Sequence, residues 1–157
     1  MRLTRTLFRV VLLIGLLFAG APAAHAVGAG QEGCTPGYWK NHHESWQEAD
    51  PDQSVTSLFS AASAYDVGDD TLAEALAGGG GPGVEGAAEI LARAAVAAWL
   101  KAAHDDVGYP WRRYAVGEDG RPPLVATVNA AFASGDRATM LALAARLDRD
   151  NNLGCPL

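Results

Sequence analysis

The sequence predicts an all-α domain: a compact bundle of four to six helices, closed by one disulfide between the two ends of the domain. Apolar residues recur at i, i+3, i+4 and i+7 in successive segments, which is the period of a helix with one buried face. No run of useful length alternates apolar and polar residues at the period of a strand. The only two cysteines, Cys34 and Cys155, stand near opposite ends of the chain.

The pairing of those cysteines follows from the expected compartment. Arg2, Arg5 and Arg9 form a basic start, Val10 to Ala19 an apolar run, and Ala24-His25-Ala26 a small-x-small cleavage pattern. Residues 1–26 therefore read as a signal peptide, 27–33 as a short flexible tail and 34–157 as a single helical domain. Two cysteines in an oxidising compartment pair, and no Cys-x-x-Cys spacing suggests redox chemistry. Closing so long a loop is worth about 4–5 kcal/mol in the chain-entropy model. The expected location is secreted or periplasmic. Net charge is −6 and falls to −9 once the three leader arginines are set aside. So acidic a surface repels nucleic acid and anionic membrane, and neither is expected as a partner of the mature domain.

Each element has its own signal. Thr35-Pro36 starts the first helix, with a hydroxyl at the cap and proline in the first turn. Continued to about Glu48, that helix would place Trp39, His43 and Trp46 on one stripe, flanked by His42. Val55, Leu58, Phe59 and Ala62 repeat helically behind a Ser54 cap, giving a helix over 55–64. Thr71 to Ala77 reads as a short helix capped by Asp70, with Glu74 near the capping-box position.

The glycines from Gly78 to Gly83 stop that helix and read as a flexible connection. The Lys-Ser/Thr of a phosphate-binding loop is missing there. Val84 to His104, rich in alanine, is the predicted spine, with Glu85, Glu89, Arg93 and Lys101 on its polar side and Glu89–Arg93 as an i,i+4 pair. Tyr109 to Tyr114 is an aromatic and basic loop, and Gly117 to Gly120 a polar turn. Pro122-Pro123 opens a helix with Leu124, Val128, Ala131 and Phe132 inward. Ser134-Gly135-Asp136 ends it and caps a last helix bearing Met140, Leu143, Ala144 and Leu147.

The string Cys34-Thr35-Pro36-Gly37-Tyr38-Trp39-Lys40-Asn41-His42 resembles a motif of exported bacterial proteins and of modules in bacterial surface proteins. The end of the domain in that family is similar to Asn151-Asn152-Leu153-Gly154-Cys155-Pro156-Leu157. The resemblance spans nearly the whole mature chain. It implies a shared exported domain and brings no biochemical activity with it.

Chemistry is sparse. His42-His43-Glu44, completed by His104 or Asp105, is a conceivable zinc set, but adjacent helical residues point about 100° apart and the cysteines are expected to be oxidised. Asp148 to Asn152 offers alternate oxygen donors like a calcium loop, yet its glycine falls late and the closing glutamate is missing. No Gly-x-Ser-x-Gly nucleophile motif is present. No metal, cofactor or catalytic residue is therefore expected.

The aromatics give the better lead. Tyr38, Trp39, Trp46, Tyr109, Trp111 and Tyr114, with His42 and His43, are the expected binding residues, because large rings with polar edges hold sugars and protein partners. The competing role for the tryptophans is to fill the core of an alanine-rich bundle. The expected function is a non-catalytic structural or interaction module of the cell envelope or extracellular space. It would engage an extracellular protein or polysaccharide through an aromatic surface groove. The alternative is a small metal-assisted hydrolase.

Overall fold

A computed structural model describes residues 33–157; the expected leader and the tail as far as residue 32 lie outside the described residues. Six α-helices follow in order: α1 (Pro36–Asn41), α2 (Val55–Leu58), α3 (Leu72–Ala77), α4 (Gly83–Ala103), α5 (Leu124–Ala133) and α6 (Arg137–Asn151). Three short 3-10 turns lie at His43–Ser45, Ser60–Ala64 and Asp66–Gly68. Among the described residues there is no strand, only an isolated bridge between Ser54 and Thr71. The fold is all-α, and Cys34 is bonded to Cys155 across a separation of 121 residues.

Helix α4 is the spine, and its composition explains why. From Leu91 to Leu100 every position except Arg93 is buried. Alanine side chains let neighbouring helices approach on several sides, so α4 has hardly any solvent stripe. Its principal partner is α6, with α3, α1 and α5 completing the surround. Even Lys101, expected on the polar side, is wholly buried. At the start of α4, a Cβ on Gly86 would meet the backbone of Gly81, so the glycine run folds back directly onto the helix.

That run is held rather than free. The Gly80 amide donates to Glu89 Oε2 at 3.0 Å, and Arg93 Nη1 donates to Gly78 O at 3.3 Å. The two side chains expected to pair with each other instead tie down the loop. A carboxylate on the loop's amide is also the opposite of what a phosphate cradle needs.

Elsewhere the helix limits move for local reasons. The first helix ends at Asn41, because His42 leaves helical geometry (φ −130°, ψ 64°). The expected 55–64 helix breaks at Phe59 (φ −128°, ψ 83°), whose ring is wholly buried, into α2 and a 3-10 turn. The cap of α3 is Thr71, one residue later than expected, in a complete capping box with Glu74. The last two helices keep their expected inward residues: Leu124, Val128, Ala131 and Phe132 in α5, and Met140, Leu143, Ala144 and Leu147 in α6, are all buried. Asp136 caps α6 by accepting from the Thr139 amide at 2.8 Å.

Candidate functional site

The start and the end of the described residues meet at the C-terminal turn of α6. The Gly33 amide donates to Gly154 O at 2.6 Å, one residue before each bonded cysteine. Gly33 was expected in the flexible tail; it is buried, and a Cβ there would collide with the Asp150 carbonyl. Only glycine fits so close a backbone approach. Thr35 then caps α1 by accepting from the Tyr38 amide at 3.1 Å.

Within the motif, most polar groups are satisfied internally. Asn41 Nδ2 donates to Gly37 O at 2.7 Å, and the Tyr38 hydroxyl pairs with Ser45 Oγ at 2.9 Å. Trp46 Nε1 donates to Trp39 O at 2.9 Å, so the two tryptophans meet through a backbone carbonyl rather than along a helical stripe. Trp39 itself is wholly buried and packs edge-on against Tyr38, 5.3 Å between ring centres.

The expected aromatic groove is therefore divided. Trp39, Tyr109 and Trp111 are buried in the core. Tyr38 and Trp46 are half-buried, His43 is exposed, and Tyr114 stands out at 72% exposure, away from any aromatic partner among the described residues. His42 stacks on Tyr38 at 4.4 Å, and His43 meets Trp46 edge-on at 5.1 Å. What remains at least partly outside are two aromatic–imidazole pairs, Tyr38–His42 and His43–Trp46.

Trp111 is buried by an electrostatic frame. Arg146 and Arg121 lie over its ring at 4.7 and 5.6 Å, and its Nε1 donates to Asp150 Oδ2 at 2.8 Å. Arg121 Nη1 reaches the same carboxylate oxygen at 2.8 Å while its Nε pairs with Asp119 at 2.6 Å. Guanidinium groups over an indole face are attracted by the ring quadrupole, which suits a tryptophan below charged side chains.

The histidines do not converge. His42 Nδ1 is 2.8 Å from Glu44 Oε1, a contact that holds the Glu44 carboxyl below its ordinary value. His104 sits inward, 3.3 Å from Gln47 Nε2 and 6.3 Å from the Trp39 ring centre. Both cysteines are taken up by the disulfide. Among the described residues no group of three or more His, Cys, Asp or Glu side chains is placed to hold a metal. The Asp148–Asn152 segment is helical through Asn151, with Asp150 turned to Arg121 and Asn151 turned inward, so it does not form a calcium loop.

Two features escaped the sequence reading. A cleft of about 410 Å³ lies between α1, α3, α4 and α6, with Lys40, Arg93 and Asp148 as its charged lining and no aromatic side chain. A smaller one, about 200 Å³, has Tyr109, Arg112, Glu118 and Asp119 in its wall. The second feature is a buried polar cluster. Lys101 Nζ donates to Asn151 Oδ1, Tyr109 OH donates to the same oxygen at 2.8 Å, and Asn151 Nδ2 donates to Ala94 O at 3.0 Å. Burial holds the Lys101 ammonium well below its ordinary value, while the fields of Asp148 and Asp150 act the other way. Burial pushes the Tyr109 phenol well up. The sequence signal for the cluster is Lys101 itself, a lone lysine closing an otherwise apolar run from Ala94 to Leu100.

No family model, curated protein or solved structure matches the chain.

Proposed function

We propose that this is an exported, non-catalytic module of the cell envelope or extracellular space, in which the Cys34–His42 motif is a structural clasp. The observation that carries the reading is how the motif spends its groups. The cysteine is bonded to the far end, the threonine and asparagine close α1, and Trp39 fills the core. No helix of the described residues is long and apolar enough to cross a membrane, and the disulfide accords with an oxidising compartment.

The partner-facing part is then the Tyr38–His42 and His43–Trp46 face, which would engage an extracellular protein or polysaccharide. Rings held by internal hydrogen bonds, as Tyr38, His42 and Trp46 are, lose little freedom on binding, which favours them as contacts. The metal-assisted hydrolase finds no support in side chains this scattered.

Paired measurements test the proposal on secreted mature protein. Trp39→Ala should lose about 3–5 kcal/mol of stability in denaturant unfolding, as large-to-small core changes do. His43→Ala should leave stability within about 0.5 kcal/mol, as surface changes do, and weaken binding to envelope polysaccharide or protein. A fully stable Trp39→Ala would overturn the clasp. Zinc-dependent hydrolysis lost with His42→Ala would favour the enzyme instead.

A further inference from the structure

The Lys101–Asn151–Tyr109 cluster has no part in the clasp or in the outer face, and its chemistry is unusual for a purely structural contact. Lys101 and Asn151 are both wholly buried, 50 residues apart in sequence, on the last turns of the two helices that pack most extensively. Among the described residues no carboxylate forms a salt bridge with Lys101. Asp148 and Asp150 lie on the same helix as Asn151, but Asp150 is committed to Arg121 and Trp111. Burial without a salt-bridged carboxylate disfavours the ammonium and shifts the amine toward its neutral form, against the opposing pull of Asp148, Asp150 and the Tyr109 ring 4.7 Å from Nζ. A neutral lysine amine is a nucleophile.

Its immediate neighbour is an electrophile. The Asn151 side-chain carbonyl carries Lys101 Nζ against its oxygen and accepts a second bond from the Tyr109 hydroxyl at 2.8 Å. Its amide nitrogen is anchored to Ala94 O at 3.0 Å, which fixes the plane of the group. Tyr109 is itself buried and pushed toward its neutral, donating form, so its proton stays on the oxygen. A donor aimed at the oxygen where charge will develop is the arrangement that stabilises a tetrahedral intermediate of acyl transfer.

We propose that Lys101 and Asn151 become joined by an intramolecular isopeptide bond formed by the protein itself. Nζ attacks Cγ of Asn151, and the carbonyl electron pair moves onto Oδ1, where Tyr109 stabilises it. One proton passes from Nζ to Nδ2, the carbonyl re-forms, and the Cγ–Nδ2 bond breaks. The products are a secondary amide between Nζ and Cγ and one molecule of ammonia. No electrons are transferred, and no oxidant, metal or cofactor takes part. Holding both groups on packed helices replaces an encounter in solution by a fixed geometry. Burial also keeps water from competing for the same carbonyl. The new bond would tie the end of α4 to the end of α6, inside the loop already closed by Cys34–Cys155.

Mass spectrometry of the secreted mature protein tests this directly. After reduction, the intact mass should be lower than the sequence requires by one ammonia. Tryptic digestion should yield a branched species joining the Lys101 and Asn151 peptides, with no cleavage after Lys101. Lys101→Met and Asn151→Leu should each abolish the branch. Timed from the first folding of chain produced and purified unfolded, Tyr109→Phe should slow its appearance by about 10²–10³-fold, the usual loss on removing one oxyanion donor. Because the wild-type digest decides the matter, a variant that fails to fold leaves the test intact. Full recovery of separate peptides with unmodified Lys101 and Asn151 would overturn the proposal, as would an ammonia loss mapped elsewhere. Branch formation at wild-type speed in Tyr109→Phe would overturn the role of the tyrosine.

Discussion

Lys101 and Tyr109 show how burial, more than any neighbouring charge, sets the chemistry of single residues. The lysine titrates well below its ordinary 10.5 in the folded chain and at the ordinary value when unfolded. Between those values the unfolded chain binds one more proton, so stability rises with pH across that window. The tyrosine is opposite: its folded pKa lies above the ordinary 10.0, so stability falls as pH rises above 10.0. An amide does not titrate, so joining Nζ to Asn151 removes the first dependence and leaves the second. Urea unfolding across pH should therefore show both limbs in chain produced unfolded and folded for the first time, before joining. The joined mature protein should keep only the decline above 10.0. A rise that persists unchanged in Lys101→Met would show that other groups control it. Sequence alone could flag Lys101 as a charge in an apolar run, but its polarity argued for the solvent face. Only the packing of α6 reversed that.

At the scale of elements, caps were more legible than lengths. Pro36, Pro123 and Asp136 mark helix starts by chemistry confined to one turn, and the structure follows them. Where the helices stop depends on what the next residue packs against, as at His42 and Phe59. A local contrast tests the capping. Thr71 accepts the Glu74 amide at 3.2 Å in a closed capping box, whereas Ser54 makes no such bond to α2. Thr71→Ala should cost about 1 kcal/mol in denaturant unfolding, the usual loss for a capping hydroxyl. Ser54→Ala should cost clearly less, since it removes no capping bond. Equal losses would mean that the Thr71 capping bond adds nothing to stability. Helix α5 uses a different device: its first amides donate to Arg112 O at 2.9 Å and Arg113 O at 3.1 Å, so the aromatic loop is its cap. That loop read as a binding segment because its aromatics suggested surface, while its backbone role carries no sequence signal.

For the whole molecule, the clasp is the feature of greatest reach. It joins residues 121 positions apart, and the Gly33–Gly154 hydrogen bond lies directly beside it. Cys155→Ser should lower the unfolding free energy by about 2–5 kcal/mol, chiefly by freeing the unfolded chain. Guanidinium unfolding of the variant against wild type measures this. A loss far below that range would mean that the ends stay together through α6 packing alone. Cys34 is buried, whereas Cys155 is an exposed residue.

The sequence by itself determined the all-α class, the order of the main helices, their inward residues from Leu124 onward and the pairing of the cysteines. All of these follow from periodicity, capping chemistry and residue count, which act within a turn or through composition. Tertiary structure alone decided which aromatics are core, that the histidines stand apart, and that Lys101, Tyr109 and Asn151 meet. Those outcomes depend on which helix faces which across distances of 42 to 57 residues in sequence. A local pattern reports whether a side chain belongs to an apolar face; it does not report what lies opposite.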